Sequence, residues 1–101
     1  KTNYEQLWQE LIFLYDSKKP EFMINPIRRI CESFEKFNNL DKNKFYRNHP
    51  NEKKLLDVNS HSIDDLEADL NGKSEDEIKS IFKSLFVDNE FGNHFNAYWP
   101  S

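Results

Sequence analysis

The sequence predicts an all-α fold, a small bundle of four to five helices, on three observations. Hydrophobic residues recur at spacings of three and four, strand-like alternation is absent, and 101 residues hold only two glycines. A stripe with that period buries one face of a helix, whereas a half-buried strand needs alternate residues to point inward.

Each element has its own justification. Tyr4, Leu7, Trp8, Leu11, Ile12 and Tyr15 lie on one stripe of a first helix, which Asp16-Ser17-Lys18-Lys19-Pro20 stops. Asn25 followed by Pro26 reads as an N-cap with proline at the first helical position. The stripe Ile27, Ile30, Cys31, Phe34 and Phe37 then carries a second helix to Asn38-Asn39. Residues 41–52 are polar and turn-prone, with His49-Pro50-Asn51 the strongest breaker, and a short helix is expected from Glu52 to Val58. After Asn59-Ser60-His61-Ser62, the run Ile63 to Leu70 predicts another short helix, ended by Asn71-Gly72. Ser74 and Glu77 form a capping box for a last strong amphipathic helix carrying Ile78, Ile81, Phe82, Leu85 and Phe86. The closing segment, Phe91 to Trp99, is too aromatic for a free linker and should pack on the bundle or on a neighbour.

Composition limits what such a bundle can be. At this length one core is expected, burying roughly 60 to 65% of the unfolded surface. The longest apolar run is Leu11 to Tyr15, too short for a bilayer span or a signal peptide. Cys31 has no partner for an internal disulfide, so a reducing, cytoplasmic setting is the expectation. The chain opens on Lys1 and closes on Trp99-Pro100-Ser101, which suggests a piece of something longer.

The net charge of −4 is unevenly distributed. Residues 1–41 carry six basic and seven acidic side chains, residues 42–54 five and one, and residues 55–101 three and ten. The middle stretch, Lys42, Lys44, Arg47, Lys53 and Lys54, could meet a polyanion, with Phe45 and Tyr46 as stacking surfaces. The plainer reading is a solvated loop whose two aromatics cover the core.

Two constellations could carry chemistry. Arg28 and Glu32, four apart on the second helix, share a face and either form a surface ion pair or jointly address a third group; Arg29 beside them is a second guanidinium for a phosphate. His61 stands among hydroxyls and an amide that can fix its tautomer, as a general acid or base requires, or it simply belongs to a capping turn. His49 reads as a surface residue and His94 as a half-buried packing residue. Cys31 and the three histidines, separated by 18, 12 and 33 residues, match no compact metal pattern, and neither a metal nor a cofactor is expected. The phosphate-binding, dinucleotide, serine-hydrolase and zincin motifs are all missing. Any catalysis must therefore use Arg, Glu and His, a set suited to metal-free phosphodiester cleavage.

Taken together, Asn25-Pro26-Ile27-Arg28-Arg29-Ile30-Cys31-Glu32, Asn59-Ser60-His61-Ser62, Ile78 to Phe86 and His94-Phe95-Asn96 resemble the C-terminal region of ATPase-coupled anticodon nucleases of the PrrC and RloC type and their relatives in bacterial defence. The similarity runs from about residue 22 onward, and the N-x-x-R-R-x-x-E run and the S-H-S triplet are its most specific parts. The resemblance implies a HEPN-like bundle, C-terminal in a larger ATPase whose nucleotide-binding motifs would lie upstream, commonly dimeric, and cleaving RNA such as tRNA without metal. It places Arg28, Glu32 and His61 on the catalytic positions, which must then converge through tertiary packing. Arg29, Lys42, Lys44, Arg47, Lys53 and Lys54 would hold the RNA. A twofold dimer is expected on the apolar surplus of the second helix and the aromatic tail. The rival expectation is a non-catalytic module that docks on its parent ATPase or an effector through Phe91 to Trp99.

Overall fold

A computed structural model describes residues 3–39, Phe45 and residues 63–100, all in helices or the turns between them. Among the described residues, five α-helices with defined bounds follow in order: α1 (Asn3–Asp16), α2 (Ile24–Asn38), α3 (Ile63–Leu70), α4 (Glu75–Asp88) and α5 (Gly92–Tyr98). A 3₁₀ turn, Pro20–Phe22, links α1 to α2. Among the described residues there is no strand, and the all-α expectation holds.

Each helix end has a local cause. α1 closes with Lys18 in the left-handed conformation (φ 57°), while the Lys19 N–H reaches back to Leu14 O and the Lys18 N–H to Tyr15 O. Those two bonds satisfy carbonyls that the helix leaves open. α2 ends the same way at Asn39 (φ 51°), a residue that tolerates this region. α3 stops at Gly72, whose φ of +83° is open to glycine at little steric cost. α4 begins with both halves of the anticipated capping box: the Glu77 N–H donates to Ser74 Oγ at 3.2 Å, and the Ser74 N–H donates to Glu77 Oε1 at 3.0 Å. It ends at Glu90 (φ 68°), with the Phe91 N–H bonded to Phe86 O at 2.7 Å.

The start of α2 corrects the sequence reading. Asn25 is not its N-cap; the helix begins at Ile24, one residue after Met23, and no side chain caps it. The 3₁₀ turn runs straight into α2, with the Met23 N–H on Pro20 O and the Ile27 N–H on Met23 O. Pro26 thus lies in the first turn, where its missing N–H costs no helical bond.

The core is one aromatic-rich cluster. Trp8 and Leu11 of α1, Ile27, Ile30, Cys31 and Phe34 of α2, Leu66 and Leu70 of α3, Ile78, Ile81, Phe82, Leu85 and Phe86 of α4, and Phe95 of α5 are all buried. Trp8 lies at its centre, with ring centroids 5.4 Å from Phe82, Phe95 and Tyr98 and 5.9 Å from Phe86. Aromatic pairs at such offsets add attraction beyond the area they bury. At the other end of α1, the Lys79 ammonium of α4 sits over the rings of Tyr15 and Trp99, at 5.0 and 4.7 Å, and the Tyr15 hydroxyl donates to Asp76. α1 and α4 therefore run antiparallel, with α5 laid along both.

One aromatic departs from expectation, and another follows the plainer of its two readings. Phe37 is 79% exposed and takes no part in the α2 stripe, while Glu35 is buried instead. The buried face of the helix has rotated toward Glu35 near its C-terminus, leaving Phe37 on the outer edge. Phe45, a suggested stacking surface, is buried against Phe34 and Phe86, at 5.9 and 6.0 Å, and Asn89 Nδ2 donates to its carbonyl. It belongs to the core, as the plainer reading of this stretch expected for it. The helix expected over Glu52 to Val58 lies outside the described residues.

Candidate functional site

The helical repeat of α2 sends Ile27, Ile30, Cys31 and Phe34 inward, so the intervening Arg28, Arg29 and Glu32 face the surface. Arg28 Nε lies 3.6 Å from Glu32 Oε2. The pair anticipated from the i,i+4 spacing therefore forms, and it forms at the surface: Glu32 keeps half of its side-chain exposure. Arg28 also reaches off its own helix, with Nη1 3.5 Å from Glu67 Oε2 on α3. Periodicity within α2 could not reveal Glu67, because the two residues are 39 apart and meet only when α3 packs on α2. The one hint in the sequence was the acidic run Asp64-Asp65-Leu66-Glu67 ahead of a helix stop.

Arg29 points to a different neighbourhood. Together with Glu32, Ser33 and Phe37 of α2 and Asn3, Tyr4 and Leu7 of α1, it lines an open groove of about 410 Å³. Among the described residues Arg29 enters no ion pair, so its charge is directed to solvent and to whatever occupies the groove. Glu32 thus serves two roles, holding Arg28 on one side and forming a wall of this groove on the other.

The Tyr4 ring adjoins a histidine that the sequence reading had assigned to packing. Tyr4 Oη and His94 Nε2 share a 2.6 Å hydrogen bond, and the imidazole stacks on Phe86 with an 8° interplanar angle. His94 is half-buried, as expected, and burial lowers its pKa below the ordinary 6.5. Burial likewise pushes the Tyr4 phenol well up, and the Cys31 thiol, fully buried, follows. A neutral imidazole, a neutral phenol and a neutral thiol are the resting forms at pH 7. Cys31 is thereby an inert core residue.

The remaining site residues from the sequence divide simply. Arg28 and Glu32 are brought together and Arg29 stands beside them. His61 and the basic residues Lys42, Lys44, Arg47, Lys53 and Lys54 lie outside the described residues. The segment Phe91 to Trp99, expected as a docking surface in the rival reading, uses Phe95 and Trp99 in the chain's own core. Ile27, Ile30, Cys31 and Phe34 of the α2 stripe are buried as well, whereas Phe37 stays exposed. The large hydrophobics left exposed among the described residues are Phe13, Phe22, Phe37 and Val87.

Among the described residues no three His, Cys, Asp or Glu side chains gather in a way that could hold a metal ion. No helix among them is long and apolar enough to cross a membrane. Compared with known protein families, with curated proteins and with solved structures, the chain matches none.

Proposed function

We propose that this chain is a metal-independent RNA endonuclease domain of the HEPN-like, anticodon-nuclease kind, serving a larger defence ATPase. The observation that supports it most is the surface display of Arg28, Arg29 and Glu32 on one helix, with the Glu32 carboxylate held by a guanidinium yet open to a groove. A carboxylate in that position can accept the proton of a ribose 2′-hydroxyl while a neighbouring guanidinium neutralises the phosphate.

The reaction then runs as an internal transfer. Glu32 removes the 2′-hydroxyl proton, the oxygen attacks phosphorus, and the P–O5′ bond breaks to leave a 2′,3′-cyclic phosphate. His61, as imidazolium, delivers a proton to the departing 5′-oxygen. Arg28, assisted by Arg29, stabilises the phosphorane, whose charge exceeds that of the ground state. Glu67 competes with the phosphate for Arg28, so substrate must displace or share that carboxylate. Lys42, Lys44, Arg47, Lys53 and Lys54 guide the backbone by charge alone.

Cleavage of tRNA and of a short single-stranded RNA, with chelator present, tests the assignment. Activity should persist in chelator and fall at least a hundredfold in His61→Ala and Arg28→Ala. Undiminished activity in either alanine variant refutes that residue's role, and cleavage that vanishes with chelator refutes the metal-free mechanism.

A further inference from the structure

The geometry points to the groove between α1 and α2 as a seat for one nucleotide of single-stranded RNA, with the base on Phe37, the phosphate on Arg29 and the ribose 2′-hydroxyl on Glu32. This rests on the nuclease reading and names the subsite through which that site would select its substrate.

Three observations converge. Phe37 is a large aromatic ring that leaves 79% of its surface in water on the rim of the groove, although the helix has a core face close by. A ring presented in this way offers a flat face on which any base can stack. The groove also holds Arg29, a cation without an ion pair among the described residues, and a phosphate offers a pair of non-bridging oxygens that suits a guanidinium fork. At about 410 Å³ it falls within the size range of small-ligand sites.

The third observation, Glu32, decides between nucleotide types. A carboxylate on the wall would repel a second phosphate, yet it accepts a hydrogen bond from a hydroxyl donor. Ribose supplies such a donor and deoxyribose does not. Ser33, Tyr4 and Leu7 complete the lining of the groove. An acidic peptide would satisfy Arg29 but leave the ring and the carboxylate without use.

The test is fluorescence anisotropy of a labelled uridine hexamer titrated with the full 101-residue chain, alongside the deoxy hexamer and a cleavage assay. Phe37→Ser and Arg29→Gln should each weaken RNA binding about tenfold or more, Phe37→Trp should restore it, and the deoxy hexamer should bind several-fold more weakly. Both positions are exposed, so their thermal midpoints should match that of the unaltered chain. RNA binding that is unchanged in Phe37→Ser and Arg29→Gln overturns the groove, and continued cleavage by Phe37→Ser, which touches no catalytic group, leaves the nuclease reading standing. Equal binding of the ribo and deoxy hexamers overturns the part assigned to Glu32. Failure of the unaltered chain to bind RNA overturns the groove and the nuclease reading together.

Discussion

Arg28 on α2 and Glu67 on α3 meet at 3.5 Å, Nη1 to Oε2, and this contact joins the helix that bears the candidate site to the short helix beside it. Arg28 is thereby shared between two carboxylates, because Glu32 stands 3.6 Å from its Nε. A guanidinium held in this way is already neutralised when a phosphate arrives.

Glu67→Gln should therefore act in opposite directions on stability and on RNA. Both partners are about one-third exposed, so the lost pair should cost less than about 1 kcal/mol, and less again in high salt. Under the proposed function, RNA cleavage should rise, since one competitor for Arg28 is gone. Denaturant midpoints and single-turnover cleavage measure the two effects, and a slower variant would show that Glu67 orients Arg28 rather than competing for it.

His94 makes stability depend on pH in a defined sense. Burial holds its folded pKa below 6.5, so the unfolded chain binds the proton more readily than the folded one. The contribution is complete above about pH 6.5, declines as pH falls toward the folded value, and levels off below it. His94→Gln, which cannot titrate, should flatten the urea midpoint between pH 7.5 and pH 5. A variant with the same slope as the unaltered chain would place the pH dependence elsewhere.

At the start of α4, Ser74→Ala should remove about 1 kcal/mol of stability. Its partner responds to acid: the Glu77 carboxyl is held below its ordinary value of 4.5, chiefly by accepting from the Ser74 backbone N–H. That contribution is present above pH 4.5 and disappears as pH falls through the lower folded value. Glu77→Gln should show a shallower acid limb in the same melt, and the double variant should add little to either single change.

Glu90 sits in left-handed backbone (φ 68°) at the end of α4, a conformation that disfavours any residue with a Cβ. Glu90→Gly should raise stability by about 0.5 kcal/mol, the relief of strain being partly offset by the greater freedom of glycine in the unfolded chain. Calorimetry checks the sign. A lower midpoint would mean that the Glu90 side chain contributes more than its backbone costs.

Phe86 is fully buried and packs against Trp8, Phe34, Phe82 and Phe95. Truncation to alanine should cost about 4 kcal/mol, a large share of the 5 to 15 kcal/mol typical of a domain, whereas Phe86→Leu keeps most of the volume and should cost less than half as much. Near-ultraviolet circular dichroism during denaturation would separate the two.

Where the sequence succeeded, the signals were local. The capping box at Ser74 and Glu77, the stop at Asn71-Gly72 and the stripes of α1 and α4 each depend on residues within a turn or two of one another. The misplacement of the α2 cap came from a 3₁₀ turn whose bonds, such as Met23 N–H to Pro20 O, have no distinctive residue signature. Phe37 was misplaced because it lies at the margin of its stripe, where the crossing of two helices decides which edge is covered. At the candidate site, the Arg28 and Glu32 pair was legible from its spacing. The Glu67 contact and the Tyr4–His94 bond were not, because they span 39 and 90 residues and arise only from packing.

The ring of contacts that Tyr4 and Trp8 make with His94, Phe95 and Tyr98 also has a bearing on how the chain tolerates trimming. α5 has seven residues, too few to persist as a helix in water by itself. Its shape is borrowed from α1 and α4 together, since His94 and Phe95 pack on Phe82 and Phe86 as well as on Trp8. Cutting away the first ten residues should therefore loosen the last ten, and a protease that nicks the opening helix would weaken the hold on the closing one.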